Sequence, residues 1–303
     1  MTDLAIDFAG VHFRNPVLLA SGTCGYGREF LPLTDLSRIG GLVSKTITPE
    51  PRAGNKPPRI VETPAGMLNS IGLQNPGMEG FVEEKWPFLA ELSTQVVVNI
   101  AASTAAGHGE MAARLSELTG IAALEINISS PNMKDGGMLF GCNPQAAGEV
   151  IRAVRQATDL PVIAKLTPNV TDIVAIAQTV EEAGADGISL INTLLGMAID
   201  ISKRRPILGN ITGGLSGPAI KPVALAMVWK VSQAVQVPLM GIGGIMSTQD
   251  ALEFIIAGAA CVQVGTASFV NPNAGVEIVE GLEAYCAENG IDHIQSLVGS
   301  LET

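Results

Sequence analysis

Polar residues and glycines stand at the ends of eight short apolar stretches, where a β-strand would stop. They are Ser21, Lys45, Asn99, Asn127, Lys165, Asn192, the pair Gly243–Gly244 and the pair Gly265–Thr266. Amide side chains both donate and accept hydrogen bonds, and lysines carry fixed positive charge. The set contains no carboxylate pair, no Ser–His–Asp arrangement and no metal-ligand cluster. It therefore favours binding of a planar anionic heterocycle over hydrolysis.

Each of these residues, taken singly, also has a purely structural explanation. A strand-end asparagine usually caps a turn, and a single lysine at the rim of a sheet usually extends to solvent. Two lysines and three asparagines that converge on one opening are much harder to explain by packing. We therefore interpret the group as a binding site.

Glycine-rich segments follow the last two apolar stretches, with PLMGIGGI at 238–245 and CVQVGTASF at 261–269. Glycines let backbone N–H groups approach an anion closely, and phosphate sites are frequent after strands 7 and 8 of a barrel. The chain has neither G-x-G-x-x-G in a βαβ context nor a Walker A sequence. The pattern thus predicts a bound mononucleotide rather than NAD or ATP.

The order of elements predicts a (β/α)8 TIM barrel with an N-terminal β-hairpin at 4–13. Strands are predicted near 17–21, 41–45, 96–100, 123–128, 162–166, 187–192, 239–243 and 261–265. Helices are predicted near 29–39, 79–92, 108–119, 145–157, 172–184, 219–235, 248–258 and 274–289. The segments 46–77 and 129–143 are too long for simple connections, so we expect active-site loop insertions there. Because the carboxyl ends of barrel strands share one face, the polar positions would share one opening.

Composition narrows the possible functions. The 303 residues, 47% of them hydrophobic, are accounted for by a single barrel domain spanning 1–303. A net charge of −11 disfavours binding to nucleic acid and to anionic membranes. No signal peptide and no membrane span is apparent, so the sequence predicts a cytoplasmic protein. The four cysteines form no C-x-x-C pair, which predicts that any metal centre belongs to another chain.

Longer motifs resemble the dihydroorotate dehydrogenase family, and the resemblance covers essentially the whole chain. They are GMLNSIGLQNPG (66–77), EINISSPNMKDGGMLFG (125–141), KLTPNVTDI (165–173), INTLLG (191–196), ITGGLSGPAIKP (211–222) and GIGG (241–244). The stretch NMKDGGMLFG is similar to the corresponding stretch in members of class 1B, the NAD-linked class of the family. This resemblance implies the flavin subunit of a heterotetramer built on a dimer of flavin chains. The partner subunit would carry FAD and a [2Fe–2S] cluster that pass electrons to NAD⁺.

The resemblance also implies the site residues and the reaction, which is oxidation of dihydroorotate to orotate in pyrimidine biosynthesis. The FMN contacts would be Ser21, Lys45, Thr46, Asn99, Asn127, Lys165, Ile191, Gly217, Gly243, Gly244, Gly265 and Thr266. The substrate contacts would be Lys45, Asn69, Ser70, Ile71, Gly72, Leu73, Asn127, Asn132, Asn192 and Thr193. The catalytic residues would be Ser130, Lys45 and Lys165. A base on the loop after strand 4 would take the C5 proton while hydride passes from C6 to the flavin, and Lys165 would stabilise negative charge on the reduced flavin.

The position of the base departs from the soluble members of the family, which have cysteine there. Here the residue before the Pro–Asn of the motif is Ser130, as is typical of the quinone-linked class. A free cysteine ionises near pH 8.5, whereas a serine hydroxyl is far too weak an acid to ionise appreciably at neutral pH. Ser130 would therefore need a relay, through water or a neighbouring hydroxyl, to pass the proton on.

Three other interpretations remain open. The chain could be another flavin barrel that acts on a dihydropyrimidine, or a phosphate-binding lyase or isomerase without a redox role. It could also be an FMN-binding assembly partner whose turnover is impaired because Ser130 replaces cysteine.

Replacement of Ser130 by alanine tests the proposed base. We expect Ser130→Ala to retain bound FMN and to slow its reduction by dihydroorotate sharply, because no acceptor for the C5 proton remains. Anaerobic rapid mixing that follows flavin absorbance measures this rate. Reduction as fast as in the unmodified protein would remove Ser130 from the mechanism.

Overall fold

The computed structural model describes residues 2–129 and 140–303. The predicted base Ser130 and the predicted substrate contact Asn132 lie outside the described residues, as does most of the expected loop insertion at 129–143.

Eight parallel strands close into a barrel, so the predicted fold is confirmed. The strands are β1 (Val17–Leu19), β2 (Gly41–Val43), β3 (Gln95–Ile100), β4 (Ala123–Asn127), β5 (Val162–Leu166), β6 (Gly187–Leu190), β7 (Leu239–Ile242) and β8 (Ala259–Val264). Each strand pairs with the next along the chain, and β8 pairs with β1. Nearly all their residues are buried, because one face meets the helices and the other fills the barrel.

Helices cover the outside of the barrel, mostly near the predicted positions. They span Ala105–Ser116, Pro144–Ala157, Ile173–Glu182, Lys221–Ser232, Thr248–Ile256, Ala267–Val270 and Ala274–Glu288, and a continuous α–π–α run covers Gly77–Gly80, Phe81–Lys85 and Trp86–Leu89. Short 3₁₀ turns lie at Phe140–Cys142, Pro218–Ile220 and Ile294–Leu297. The side chains of Thr104, Asn143, Asp172 and Ser247 accept hydrogen bonds from the first turns of their helices, which fixes where these helices begin. Within residues 2–129 and 140–303, no helix is both long and apolar enough to cross a membrane.

The predicted helix at 29–39 is wrong. The structure has only two 3₁₀ turns there, Arg28–Phe30 and Leu36–Arg38. Pro32 has no backbone N–H and cannot donate the hydrogen bond that a helix through this segment needs. Asp35 then accepts a hydrogen bond from the Ser37 backbone N–H, which starts a separate turn.

The predicted N-terminal hairpin is confirmed and closes the amino-terminal end of the barrel. Strands Ile6–Phe8 and Val11–Phe13 pair in antiparallel register. The side chains of Phe8 and Phe13 are fully buried, in one apolar cluster with Leu18, Val97 and Ile163 from the barrel. This end of the barrel is therefore packed with hydrocarbon and leaves the opposite end for a ligand.

Two insertions form a second sheet at the carboxyl ends of the barrel strands. One follows β2 and supplies Ile60–Thr63 and Gly66–Asn69; the other follows β6 and supplies Leu194–Met197 and Thr212–Ser216. Antiparallel pairing of Gly66–Asn69 with Thr212–Ser216 joins them. A two-stranded ladder, Ile199–Asp200 with Arg205–Pro206, extends the second insertion. The insertion after β2 lies within the predicted segment 46–77, whereas the one after β6 was not predicted.

A buried histidine supports the connection after β3. The Ala102 backbone N–H donates to Nε2 of His108 at 3.0 Å, and Nδ1 lies 2.9 Å from the Thr104 carbonyl oxygen. These partners require a neutral ring that carries its proton on Nδ1. Burial lowers the pKa of His108 to about 4, whereas the pKa in the unfolded chain is near 6.5.

Replacement of His108 by glutamine tests whether the lowered pKa of His108 makes the stability of the fold depend on pH. Between pH 6.5 and 4 the unfolded chain binds the proton more readily than the folded chain, so acidification destabilises the fold. We expect unmodified protein to lose about 2 kcal/mol more unfolding free energy than His108→Gln between pH 7 and pH 5. Urea unfolding at the two pH values measures the difference. Equal losses in both proteins would mean that His108 does not titrate as described.

Candidate functional site

A cavity of about 340 Å³ opens at the carboxyl ends of the barrel strands, beneath the second sheet. Its lining includes most of the predicted site residues. They are Ser21, Lys45, Thr46, Asn69, Ile71, Gly72, Leu73, Asn127, Lys165, Ile191, Asn192, Thr193, Gly217, Gly243, Gly244, Gly265 and Thr266. The structure thus brings together residues from both insertions and from strands around the barrel, in a volume typical of small-molecule sites.

Two predicted contacts within the described residues do not line this cavity. Asn99 is fully buried near the end of β3, where its Nδ2 donates to Glu125 at 2.5 Å. Ser70 is also fully buried, and its backbone N–H donates to the Arg59 carbonyl. The Asn99 Oδ1 and Ser70 Oγ atoms have no hydrogen-bond partner among the described residues. Their assignment as ligand contacts stays a prediction.

Positive charge dominates the cavity. Among the described residues that line it, the charged side chains are Lys45 and Lys165. Lys45 is half-buried, and this burial lowers its pKa; Glu29 opposes the shift, and Arg59 adds to it. Since the whole chain has a net charge of −11, the cavity is a local exception that favours an anionic ligand.

A serine fixes two of the cavity asparagines. The Ser129 hydroxyl donates to Asn127 Oδ1 at 2.8 Å and accepts from Asn192 Nδ2 at 2.6 Å. The side-chain oxygen of Asn192, Oδ1, in turn accepts a hydrogen bond from the Thr193 backbone N–H at 2.7 Å. The two amides therefore cannot turn independently. Sequence reasoning did not single out Ser129, because its role depends on an asparagine sixty-three positions away.

The glycine loops after β7 and β8 reach the cavity as expected. Gly244 has φ +75°, and an added Cβ there would lie 2.8 Å from the Gly217 carbonyl oxygen. The loop after β7 can therefore approach the insertion after β6 only with glycine at this position. The Thr266 hydroxyl, after β8, donates a hydrogen bond to the Ser216 hydroxyl in the second sheet at 2.9 Å. This contact joins the roof of the cavity to the barrel.

A buried carboxylate lies below the cavity floor. Glu125 in β4 is fully buried, and its Oε2 is 3.2 Å from the ammonium nitrogen of Lys165. Sequence reasoning missed it, although an acidic residue in the middle of the buried strand ALEIN was a usable signal, because buried charges require partners. The cavity lining also includes residues that were not predicted as contacts, among them Met67, Gln74, Met246 and Phe269.

The arrangement suits a planar anionic ligand that carries a phosphate. Lysines, amide side chains and glycines whose backbone can approach an anion all line this cavity. At Gly265 an added Cβ would meet only Ala20 at 3.5 Å and Thr23 at 3.7 and 3.9 Å, and both residues also line the cavity. Within the described part of the chain, no group of three or more His, Cys, Asp or Glu side chains is placed to hold a metal ion.

Comparisons with known proteins agree on one family. A family model described as dihydroorotate dehydrogenase matches residues 3–286. A protein from Pelobacter propionicus named dihydroorotate dehydrogenase B (NAD⁺), catalytic subunit, is 59% identical over 300 residues, which are 99% of this chain and 99% of that protein. Proteins with the same name from Geotalea uraniireducens and Desulforamulus reducens are 57% and 58% identical, over 99% and 98% of this chain and 99% and 98% of their own lengths.

Proposed function

The chain belongs to the dihydroorotate dehydrogenase family, and we propose that it is the catalytic flavin subunit of an enzyme that oxidises dihydroorotate to orotate. In pyrimidine biosynthesis this reaction removes two hydrogens from the dihydropyrimidine ring. The observation that best supports this activity is the cavity in which Lys45, Lys165, Asn127 and Asn192 meet at the carboxyl ends of four barrel strands.

Family membership implies a flavin, and we propose that this flavin is FMN. Its phosphate would bind the glycine-containing segments at Gly217, Gly243–Gly244 and Gly265–Thr266, and its ring would lie near Lys165. Support comes from the lining of the cavity, where lysines carry the charge and Gly265 stands beside Ala20 and Thr23 with a backbone that no side chain of its own covers. Bound FMN would supply the acceptor for hydride from C6 of dihydroorotate.

Residues of this chain would hold the substrate and move its proton. The Lys45 ammonium would pair with the substrate carboxylate, and Asn69, Asn127 and Asn192 would bind the ring amides. Ser129 supports this assignment, because it holds two of those amides in one hydrogen-bonded chain and orientation contributes strongly to such reactions. Ser130 is our proposed acceptor of the C5 proton.

The relatives named above are called catalytic subunits, which implies a separate partner subunit in their enzymes. We propose that the partner of this chain carries FAD and a [2Fe–2S] cluster and passes electrons to NAD⁺. We further propose a heterotetramer built on a dimer of flavin chains. NAD⁺ reduction would then require both kinds of subunit.

The test is anaerobic reduction of the full chain loaded with FMN. We expect dihydroorotate to bleach the flavin, dihydrouracil to leave it oxidised, and NADH to form from NAD⁺ only after the partner subunit is added. Bleaching by dihydrouracil alone would instead identify a different dihydropyrimidine as substrate. A flavin that neither compound reduces would contradict the proposed activity.

Lys45 and Lys203 provide a matched pair of variants for the same assay. Lys45→Met removes a cavity charge, and the loss of a charged hydrogen bond should lower kcat/KM for dihydroorotate roughly 10- to 100-fold. Lys203→Met removes an equal charge from an exposed side chain that pairs with Asp200, and it should leave kcat/KM unchanged. Equal effects of the two changes would exclude a specific role for Lys45.

Gly265 tests where the cofactor binds. Because an added Cβ makes only ordinary contacts with protein atoms, Gly265→Ala should leave the melting temperature of the FMN-free protein within about 2 °C of the unmodified value. The new methyl group would occupy space proposed for FMN, so the Kd of FMN should rise at least tenfold. Fluorescence titration with FMN measures the affinity. An unchanged Kd would show that FMN does not bind against Gly265.

A further inference from the structure

Glu125 is a buried anion in the centre of the barrel that the proposed reaction does not itself use. It is the middle residue of β4, and its side chain is fully buried. Oε1 accepts hydrogen bonds from Ser189 at 2.8 Å and from Gln263 at 2.7 Å. Oε2 accepts from Asn99 at 2.5 Å and from Lys165 at 3.2 Å. Four donors from β3, β5, β6 and β8 thus hold one carboxylate of β4.

The carboxylate remains charged in this environment. Burial by itself raises the pKa of Glu125, but the Lys165 ammonium and the hydrogen bonds from Gln263, Ser189 and Asn99 outweigh it and lower the pKa below its ordinary value. Removing one partner from such a buried pair leaves an uncompensated charge, which is strongly unfavourable. Glu125 and Lys165 therefore act as a unit.

Packing alone does not explain this charged layer. Toward the hairpin, the barrel interior is filled by Leu18, Val97 and Ile163, which need no polar partners. Replacing a buried ion pair by apolar residues of similar volume is often neutral or stabilising. Lys165 is the member of the network that also lines the ligand cavity, so the network fixes a charge directly at the cavity floor.

We propose that Glu125 is a positioning residue that fixes the Lys165 ammonium at the cavity floor and offsets its charge, and thereby sets the reduction potential of bound FMN. The proposal rests on the proposed function, because it concerns the same cofactor. Two electrons add negative charge to the flavin ring. A site with an uncompensated lysine would bind reduced FMN too tightly relative to oxidised FMN, and electrons would pass less readily to the next acceptor.

The direction of the effect follows from charge. Glu125→Gln keeps the size and shape of the side chain but removes the anion that offsets Lys165. The ratio of the Kd of oxidised FMN to the Kd of reduced FMN should rise at least tenfold. For a two-electron couple, a tenfold change equals about 30 mV, so the midpoint potential should become more positive by at least that amount.

Ser189→Ala is the matched control. It removes one neutral donor from the same carboxylate and leaves the ion pair with Lys165 in place. We expect a lower melting temperature but less than a threefold change in the ratio of FMN affinities. A purely structural role for Glu125 would instead give both variants a loss of stability and neither a change in potential.

The experiment is an anaerobic redox titration of the full chain loaded with FMN, against a reference dye. A positive shift in Glu125→Gln that Ser189→Ala does not share supports the proposal. An unchanged potential in Glu125→Gln with FMN bound overturns it, even if dihydroorotate reduces the flavin normally. Failure of dihydroorotate to reduce the flavin of unmodified protein would contradict the proposed function instead.

A second variant covers the case in which Glu125→Gln does not fold. The double change Glu125→Gln with Gln263→Glu keeps one buried carboxylate in the layer but moves it from β4 to β8. In the unmodified protein, Gln263 contacts Oε1 of Glu125, whereas Lys165 contacts Oε2. We expect a positive shift relative to the unmodified protein, because the anion no longer contacts Lys165. A potential equal to that of the unmodified protein would show that the position of the anion does not matter and would overturn the proposal.

Discussion

The ion pair between Glu125 and Lys165 is the interaction on which the centre of this molecule depends. A carboxylate taken out of water is very costly unless an opposite charge and several donors satisfy it. A closed barrel can meet this requirement because its strands point their side chains toward one axis. Here four strands supply hydrogen-bond donors to Glu125, which belongs to a fifth strand. The Lys165 ammonium is therefore held at a defined position along the barrel axis.

The two ends of the barrel differ because of what fills them. Phe8 and Phe13 of the N-terminal hairpin close the amino-terminal end with apolar side chains. The interior changes to polar groups at Glu125 and then opens into the cavity. This gradient from hydrocarbon through fixed charge to open space directs an anionic ligand to the carboxyl ends of the strands.

The roof of the cavity depends on pairing between distant segments. Gly66–Asn69 follows β2 and Thr212–Ser216 follows β6, yet they are neighbours in one antiparallel sheet. Each insertion alone would be a marginal ribbon. Their pairing carries Asn69 over the barrel, and the contact between Ser216 and Thr266 joins the roof to the last strand. A ligand beneath this sheet would be enclosed by parts of the chain that only the completed fold brings together.

The sequence by itself determined the barrel, its hairpin and most of the lining of the cavity, because strand ends such as Lys45, Asn127 and Lys165 are marked by local composition and share a face in any parallel barrel. The longer sequence motifs indicated the dihydroorotate dehydrogenase family. Only the tertiary structure revealed the pairing of the two insertions and the partners of Glu125 and Ser129. Those contacts join residues far apart in the chain, and local pattern carries no information about which distant donor satisfies a buried oxygen. The wrongly predicted helix at 29–39 is a different case, because Pro32 lies within that segment and removes a backbone donor that the helix would need.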